Sequence, residues 1–325
     1  MHIREKLENY QVFLYGITII IASIYGILFP ETASLLQHTL TAFMAILMYG
    51  MFSQIPFTSI KKGTLSRPFL YALLTVNYIA VPIVVFLLTR LFSIESHLLL
   101  GVCLVLLAPC IDYVIVFTAL GRGDAKQLLL ATPVLLLTQL LLLPIYLWLF
   151  LGKEAASLID VRPFVETFLL LIVTPLLVAV ALQLLARKKG QAEKWLDASA
   201  WLPVPFMALT LFSIIASQIQ LVQTYKSELL HVLPIYVLFM VIMPYVSKWL
   251  TRAFRLPVSL SRAVLFSSAT RNSLVVLPLA LALPEPFRFI VAAVIVTQTI
   301  VEIVGELFYI RLVPNVWLKK KHDQN

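Results

Sequence analysis

Ten apolar stretches, each about the length of a bilayer-crossing helix, constrain this chain more than any other feature. They lie near 11–29, 36–55, 68–90, 97–120, 127–151, 163–186, 199–219, 229–250, 264–283 and 287–311. Roughly 20 apolar residues carry a helix across the hydrocarbon layer. In that layer only helices and closed barrels satisfy their own backbone groups. Of the 325 residues, 61% are hydrophobic and 13% charged, more apolar side chain than a soluble core of this size can bury. The sequence therefore predicts an all-α membrane protein of ten transmembrane helices. No small-residue cleavage site follows the first stretch, which is read as retained.

The net charge of +9 follows topology rather than nucleic-acid binding. With loops assigned to alternating sides, 19 Lys and Arg fall on one side and five on the other, Arg90, Lys153, Arg162, Lys226 and Arg288. The positive-inside rule then places both termini in the cytoplasm of a multi-pass plasma-membrane protein. Every loop is short, leaving no room for an ATPase or a sensor's output domain. Among the signatures of phosphate-binding loops, zinc proteases and serine hydrolases, none occurs. Neither an enzyme, a metal site nor a cofactor is expected. Cys103 and Cys110, both at membrane depth, argue against a structural disulfide. Oligomeric state is not encoded in any recognisable way.

Residues 81–92 and 243–254 agree at six of twelve positions, at an offset of 162. The same offset carries Pro109 onto Arg271 and Cys110 onto Asn272. Ten spans thus divide into two five-helix repeats, inverted because the repeat length is odd. Broken helices at equivalent places in such repeats are where carriers build their sites.

The polar residues within these spans are few. Arg271 follows Ser267-Ser268-Ala269-Thr270 and precedes Asn272-Ser273, with apolar sequence on either side. A charge at bilayer depth costs at least about 2.5–3.5 kcal/mol, so such a residue normally faces a cavity. Pro109 interrupts span 4 and Asp112 follows it. Either the chain unwinds there to bind cargo, or an ordinary proline kink leaves Asp112 at a helix start. Asp112 and Arg271 are read as neighbours, forming a proton- or cargo-sensitive pair or else a static salt bridge. Asn77 precedes Pro82, and Gln139 precedes Pro144, by five residues each. These amides contact the site or a neighbouring helix. Glu302 and Glu306, one helical turn apart, either carry a proton or pair with Arg271; Glu302, being deeper, is the stronger candidate.

Ala108-Pro109-Cys110-Ile111-Asp112-Tyr113-Val114, leading into Gly121-Arg122-Gly123-Asp124, resembles span 4 of the bile acid–sodium symporter superfamily. The Cys-Ile pair is most similar to the Acr-type arsenite exporters. Val301-Glu302-Ile303-Val304, Gln139 with Pro144-Ile145-Tyr146, and 209–218 are similar to their spans 10, 5 and 7. Asn77-Tyr78-Ile79-Ala80-Val81-Pro82 resembles a Gln-x-x-x-x-Pro pattern in span 3 of the symporters. The resemblance covers about 60–325. It implies a panel of spans 1, 2, 6 and 7 (1–60 and 156–222) and a core of spans 3–5 and 8–10 (61–155 and 223–325). Spans 4 and 9 would be unwound and cross in the core.

The chain departs from both groups. Val114 and Ile115 stand where the sodium symporters carry Ser-Asn, and Ser267 and Arg271 where they carry Glu and Gln. A hard cation wants oxygen ligands, so sodium is not expected to bind. The exporters' span 9 carboxylate aligns with Leu274, while Asp112 adds an acid in span 4. The expected function is a proton-linked secondary active transporter, an antiporter exporting arsenite or a related small oxyanion or metalloid. Cys110 would contact the cargo softly. Asp112 or Glu302 would carry the proton, and Arg271 would attract anionic charge. Asn272, Ser273, Asn77 and Gln139 would line the path, with Pro109 and Thr270 at the breaks. The alternatives are an organic-anion transporter, or a non-transporting sensor or channel. Partners are a small molecule or ion and the lipid bilayer, with no nucleic acid.

Overall fold

The computed structural model describes residues 2–54, 65–111, 113–156, 169–186, 190–281, 283–285 and 287–319. Every regular element among them is helical. In chain order these are α1 (His2–Leu28), α2 (Pro30–Leu35), α3 (Gln37–Ser53), α4 (Arg67–Thr75), α5 (Val81–Phe92) and α6 (Ser96–Leu106). They continue as α7 (Val114–Leu120), α8 (Ala125–Ala156), α9 (Thr174–Ala186), α10 (Gly190–Ser199) and α11 (Pro203–Thr224). The last four are α12 (Lys226–Ala253), α13 (Val258–Ala269), α14 (Ser273–Leu281) and α15 (Phe287–Leu312). Wide π-type turns occupy Val76–Ala80, Leu169–Val173 and Val313–Trp317. Five stretches are long and apolar enough to cross a membrane: Arg67–Phe92, Ala125–Gly152, Lys194–Thr224, Lys226–Ala253 and Phe287–Trp317. Shorter apolar helices include Phe13–Leu28, Ser96–Leu106, Thr174–Ala186 and Val258–Ala269. The chain is an all-α, multi-pass membrane protein. Asp112 lies outside the described residues, as do Lys61, Arg162 and Lys188 of the topology count.

The chain divides into two compact units. The first comprises Met1–Lys61 and Asp160–Thr224. In it α11 packs on α1 and α3, and α3 packs on α9. At Gly26 a Cβ would collide with the Ala216 carbonyl, so only glycine lets α1 approach α11 this closely. The Gln183 amide donates to the Phe52 and Ser53 carbonyls at 3.4 and 3.3 Å, which the end of α3 leaves without helical partners.

The second unit, Lys62–Ile159 with Tyr225–Asn325, contains both breaks. Its α15 packs on α6, α12 and α14, and α13 packs on α7, α8 and α12. Gly101 of α6 faces Val294 of α15, with no room for a Cβ. Two prolines shape the long helices. Pro82 cannot donate to the carbonyl of Tyr78, four residues earlier. The chain relaxes into the π-type turn Val76–Ala80, and the hydroxyl of Tyr146 on α8 donates to that carbonyl at 2.6 Å. Pro244 frees the carbonyl of Met240 in the same way, and the Tyr309 hydroxyl of α15 donates to it.

Candidate functional site

The two polar interruptions meet. Helix α6 ends at Leu106 and α7 begins at Val114; α13 ends at Ala269 and α14 begins at Ser273. Between them Pro109 and Arg271 form an isolated antiparallel bridge. The Cys110 N–H donates to the Thr270 carbonyl at 3.2 Å, and the Asn272 N–H to the Ala108 carbonyl at 2.8 Å. These bonds satisfy backbone groups that two broken helices would otherwise leave bare. Pro109 and Arg271 form the non-hydrogen-bonded pair of this bridge, so the missing proline N–H costs nothing there.

Arg271 is wholly buried. Its Nη1 donates to the Leu106 carbonyl at 3.3 Å, and its Nη2 to the Ser267 carbonyl at 2.6 Å and Asn77 Oδ1 at 2.8 Å. Leu106 ends α6 and Ser267 lies in the last turn of α13. Their carbonyls belong to the negative ends of two helix dipoles, which favour a cation. The Phe239 ring faces the guanidinium at 5.7 Å, adding a cation–π contact. Arg271 Nε has no hydrogen-bond partner among the described residues.

The carboxylates of α15 are unequal. Glu302 Oε2 accepts from the Arg271 N–H at 2.6 Å and from Gln298 Nε2 at 2.5 Å. Its Oε1 accepts from the Tyr113 hydroxyl at 2.5 Å, which also lies 3.0 Å from the Arg271 carbonyl. Three donors on one buried carboxyl are the surroundings of an anion, and short contacts are typical of charge-assisted bonds. Glu306 Oε1 contacts the Thr270 hydroxyl at 2.8 Å, and its Oε2 has no partner among the described residues. Asn272 Oδ1 accepts from the Val275 N–H at 3.3 Å, capping α14 as asparagine often does. Asn272 Nδ2 and Ser273 Oγ are buried without partners among the described residues. Three consecutive residues of the break, Arg271, Asn272 and Ser273, thus each carry a buried polar atom without a partner among the described residues, and buried polar groups are normally hydrogen-bonded.

A model of the Sodium Bile acid symporter family matches residues 41–225. The chain belongs to this family. Curated proteins offer no match. The family is one of membrane transporters, so the crossing is that of a transporter rather than of an enzyme. The matched residues include Asn77, Pro109, Cys110 and Gln139; Arg271 and Glu302 lie beyond them. The symporter-family match thus holds one strand of the bridge.

Of the residues singled out from the sequence, Asn77, Pro109, Cys110, Thr270, Arg271, Asn272 and Glu302 are brought together by the bonds above. Ser273 follows directly, opening α14. Asn77 contacts the guanidinium because its π-type turn, imposed by Pro82, turns it toward α13; its Nδ2 also donates to Ser267 Oγ at 3.1 Å. Gln139 is buried with Oε1 unpartnered among the described residues and makes no described contact with Arg271. Cys103 and Cys110 are buried, with no disulfide between them. The expected pairing of Asp112 with Arg271 falls outside the described residues.

Several participants were missed in the sequence. Tyr113 adjoins the break and ties Glu302 to it. Gln298 lies four residues before Glu302, a helical spacing that could have exposed it. Phe239 is at the offset of 162 from Asn77, and both residues contact the same guanidinium. Arg262, counted among boundary charges, is 5% exposed. It donates to the carbonyls of Leu318 at 2.8 and 3.1 Å, Arg122 at 3.1 Å and Pro314 at 3.4 Å. It pins the Val313–Trp317 turn to the loop after α7.

Proposed function

We propose that this chain is a proton-linked secondary active transporter that exports arsenite or a related small oxyanion. The observation that carries the reading is the enclosure of the crossing. Cys110, Arg271, Asn272 and Glu302 are all 0% exposed and Ser273 2%, yet Arg271 Nε, Asn272 Nδ2 and Ser273 Oγ lack partners among the described residues. Such a site suits a cargo of a few atoms with oxygens to accept those donors. The Cys110 thiol suits a soft trivalent centre, by analogy with metal preferences. In this reading the first compact unit is the panel and the second the core. The chain crosses the plasma membrane ten times as two inverted five-helix repeats, with both termini in the cytoplasm.

The family description and the fixed charge of Arg271 favour a second reading, uptake of an organic anion. A ligand of steroid size needs a cleft of several hundred cubic ångströms, and the side chains at the crossing are closed to one. A thermal-shift screen of purified protein against arsenite, antimonite, bile salts and small carboxylates separates the readings. It is run at two pH values, with and without sodium. Saturable stabilisation by arsenite or antimonite, altered by pH, is the expected result. Stabilisation by bile salts or carboxylates alone would establish the second reading. Saturable, proton-gradient-dependent flux in vesicles distinguishes either from a channel or a sensor.

A further inference from the structure

We propose that Glu306 is a proton-binding carboxyl of this transporter, linked through Thr270 to the bridge between the broken helices. The inference rests on the proton-linked reading for its role in transport and on the geometry of α15 for its location.

Glu302 and Glu306 are both wholly buried on one helix, but their surroundings differ. Glu302 receives three donors and is provided for as an anion. Among the described residues Glu306 has one hydrogen-bond partner, Thr270 Oγ1, and a bare second oxygen. An ionised carboxylate in that place would leave a charged oxygen buried without a donor, one turn from the charge of Glu302. A neutral acid fits instead. Its O–H donates to Thr270 Oγ1, and its carbonyl oxygen is the group left bare, at a much smaller cost.

Thr270 can serve both states. Its hydroxyl has one hydrogen and two neighbours, the Phe266 carbonyl at 2.7 Å and Glu306 Oε1 at 2.8 Å. A carbonyl only accepts. With Glu306 protonated, Thr270 accepts from the acid and donates to Phe266. When the proton leaves to water, the Thr270 hydroxyl turns to donate to the carboxylate. The Phe266 carbonyl keeps the Thr270 N–H at 2.9 Å. Protonation thus redirects a hydrogen bond in the residue whose carbonyl receives the Cys110 N–H.

The charged and titratable groups acting on Glu306 are Arg271, from the α13–α14 break, and Glu302 and Tyr309 on α15. Helix α12 presents Met240 opposite Gly305, next to Glu306, whereas α6 meets α15 at Gly101 and Val294, about three turns away. Helices α7 and α14 contain no titratable residue. The cation acting on Glu306 among the described residues is the guanidinium already engaged at Asn77, Leu106 and Ser267.

Infrared spectroscopy of the purified full-length protein tests the assignment through the C=O stretch of a protonated carboxyl. At neutral pH the wild type should show such a band. Glu306→Gln should lose it, because the amide replaces the neutral acid, and should unfold at the same detergent concentration as wild type. Glu302→Gln should retain the band. Thr270→Val should shift it by removing its hydrogen-bond partner, and Thr270→Ser should restore it. A band unchanged in Glu306→Gln, or lost in Glu302→Gln, overturns the proposal, as does a band indifferent to Thr270→Val.

Flux in proteoliposomes under an imposed pH gradient separates this proposal from the reading it rests on. A wild type without gradient-driven flux, but with the band assigned to Glu306, would refute proton-linked transport and leave the proton site standing. Gradient-driven flux undiminished in Glu306→Gln would remove Glu306 from the coupling.

Discussion

Replacing Glu302 by Gln is the sharpest test of the charge assignment at the crossing. The amide has nearly the same shape, so packing is preserved and the change is electrostatic. Its carbonyl can take the place of Oε2 and accept from the Arg271 N–H and Gln298 Nε2. Its NH2 then faces Tyr113, whose hydroxyl can accept from it and donate to the Arg271 carbonyl, 3.0 Å away. All three bonds survive, but each passes from charge-assisted to neutral. A bond to a charged group contributes about 1.5–3 kcal/mol and a neutral one about 0.5–1.5. The loss is therefore about 1 kcal/mol per bond, or about 3 kcal/mol over the three. The guanidinium also loses a nearby counter-charge, so this sum is a lower figure. Reversible unfolding in mixed detergent–SDS micelles, followed by circular dichroism, reads the difference. Tyr113→Phe should cost less, about 1.5–3 kcal/mol, and should not add fully to Glu302→Gln, because both act on one bond. If Glu302→Gln costs under about 1 kcal/mol, or adds strictly with Tyr113→Phe, the carboxylate is not the three-donor anion described.

Other consequences are simpler to state. Sodium should not stabilise the protein, because the Arg271 guanidinium already fills the space between Asn77 Oδ1 and the Leu106 and Ser267 carbonyls; a saturable rise in melting temperature when sodium replaces potassium, following mass action, would contradict this. With arsenite as cargo, Cys110→Ser should raise its transport constant or abolish flux, and Cys103→Ser should do little. Equal effects would place Cys110 outside the path. A reporter that fluoresces only in the cytoplasm should light up at either terminus, and a dark tag on a well-expressed fusion would break the ten-span topology.

The breaks were legible because proline and arginine cannot hide in an apolar run. Pro109 removes a donor and Arg271 carries a charge, so each announces a departure from regular helix. The offset of 162 put the two breaks at equivalent places and the family resemblance implied that they cross; the bridge joins them. The partners of Arg271 were less legible. Sequence reasoning sought a carboxylate for the guanidinium, but the described donors go to two helix-end carbonyls and an amide. Backbone acceptors have no sequence signature. Tyr113 escaped notice because a tyrosine beside apolar residues is usually packing. Arg262 did so because position along the chain cannot tell a surface charge from one enclosed by its own C-terminal turn.

Under the proposed inverted repeat, the same offset would explain how two related halves make an asymmetric site. Pro82 and Pro244 free the carbonyls of Tyr78 and Met240, each pair 162 residues apart, and a tyrosine closes each gap. Those tyrosines, Tyr146 and Tyr309, are 163 apart, as are Gln139 and Glu302. Under the inverted-repeat reading, Gln139 is the neutral counterpart of Glu302, and Asn77 that of Phe239. On that reading the scaffold is repeated while the charge is not. A carboxylate in both places would set two buried anions against one guanidinium, and an amide in both would leave the guanidinium without a counter-charge. Among the described residues, one acid and one amide then balance a single arginine. Glu306, which has no acidic counterpart at either offset in the first half, stands outside that balance, in keeping with the neutral, proton-binding role proposed for it.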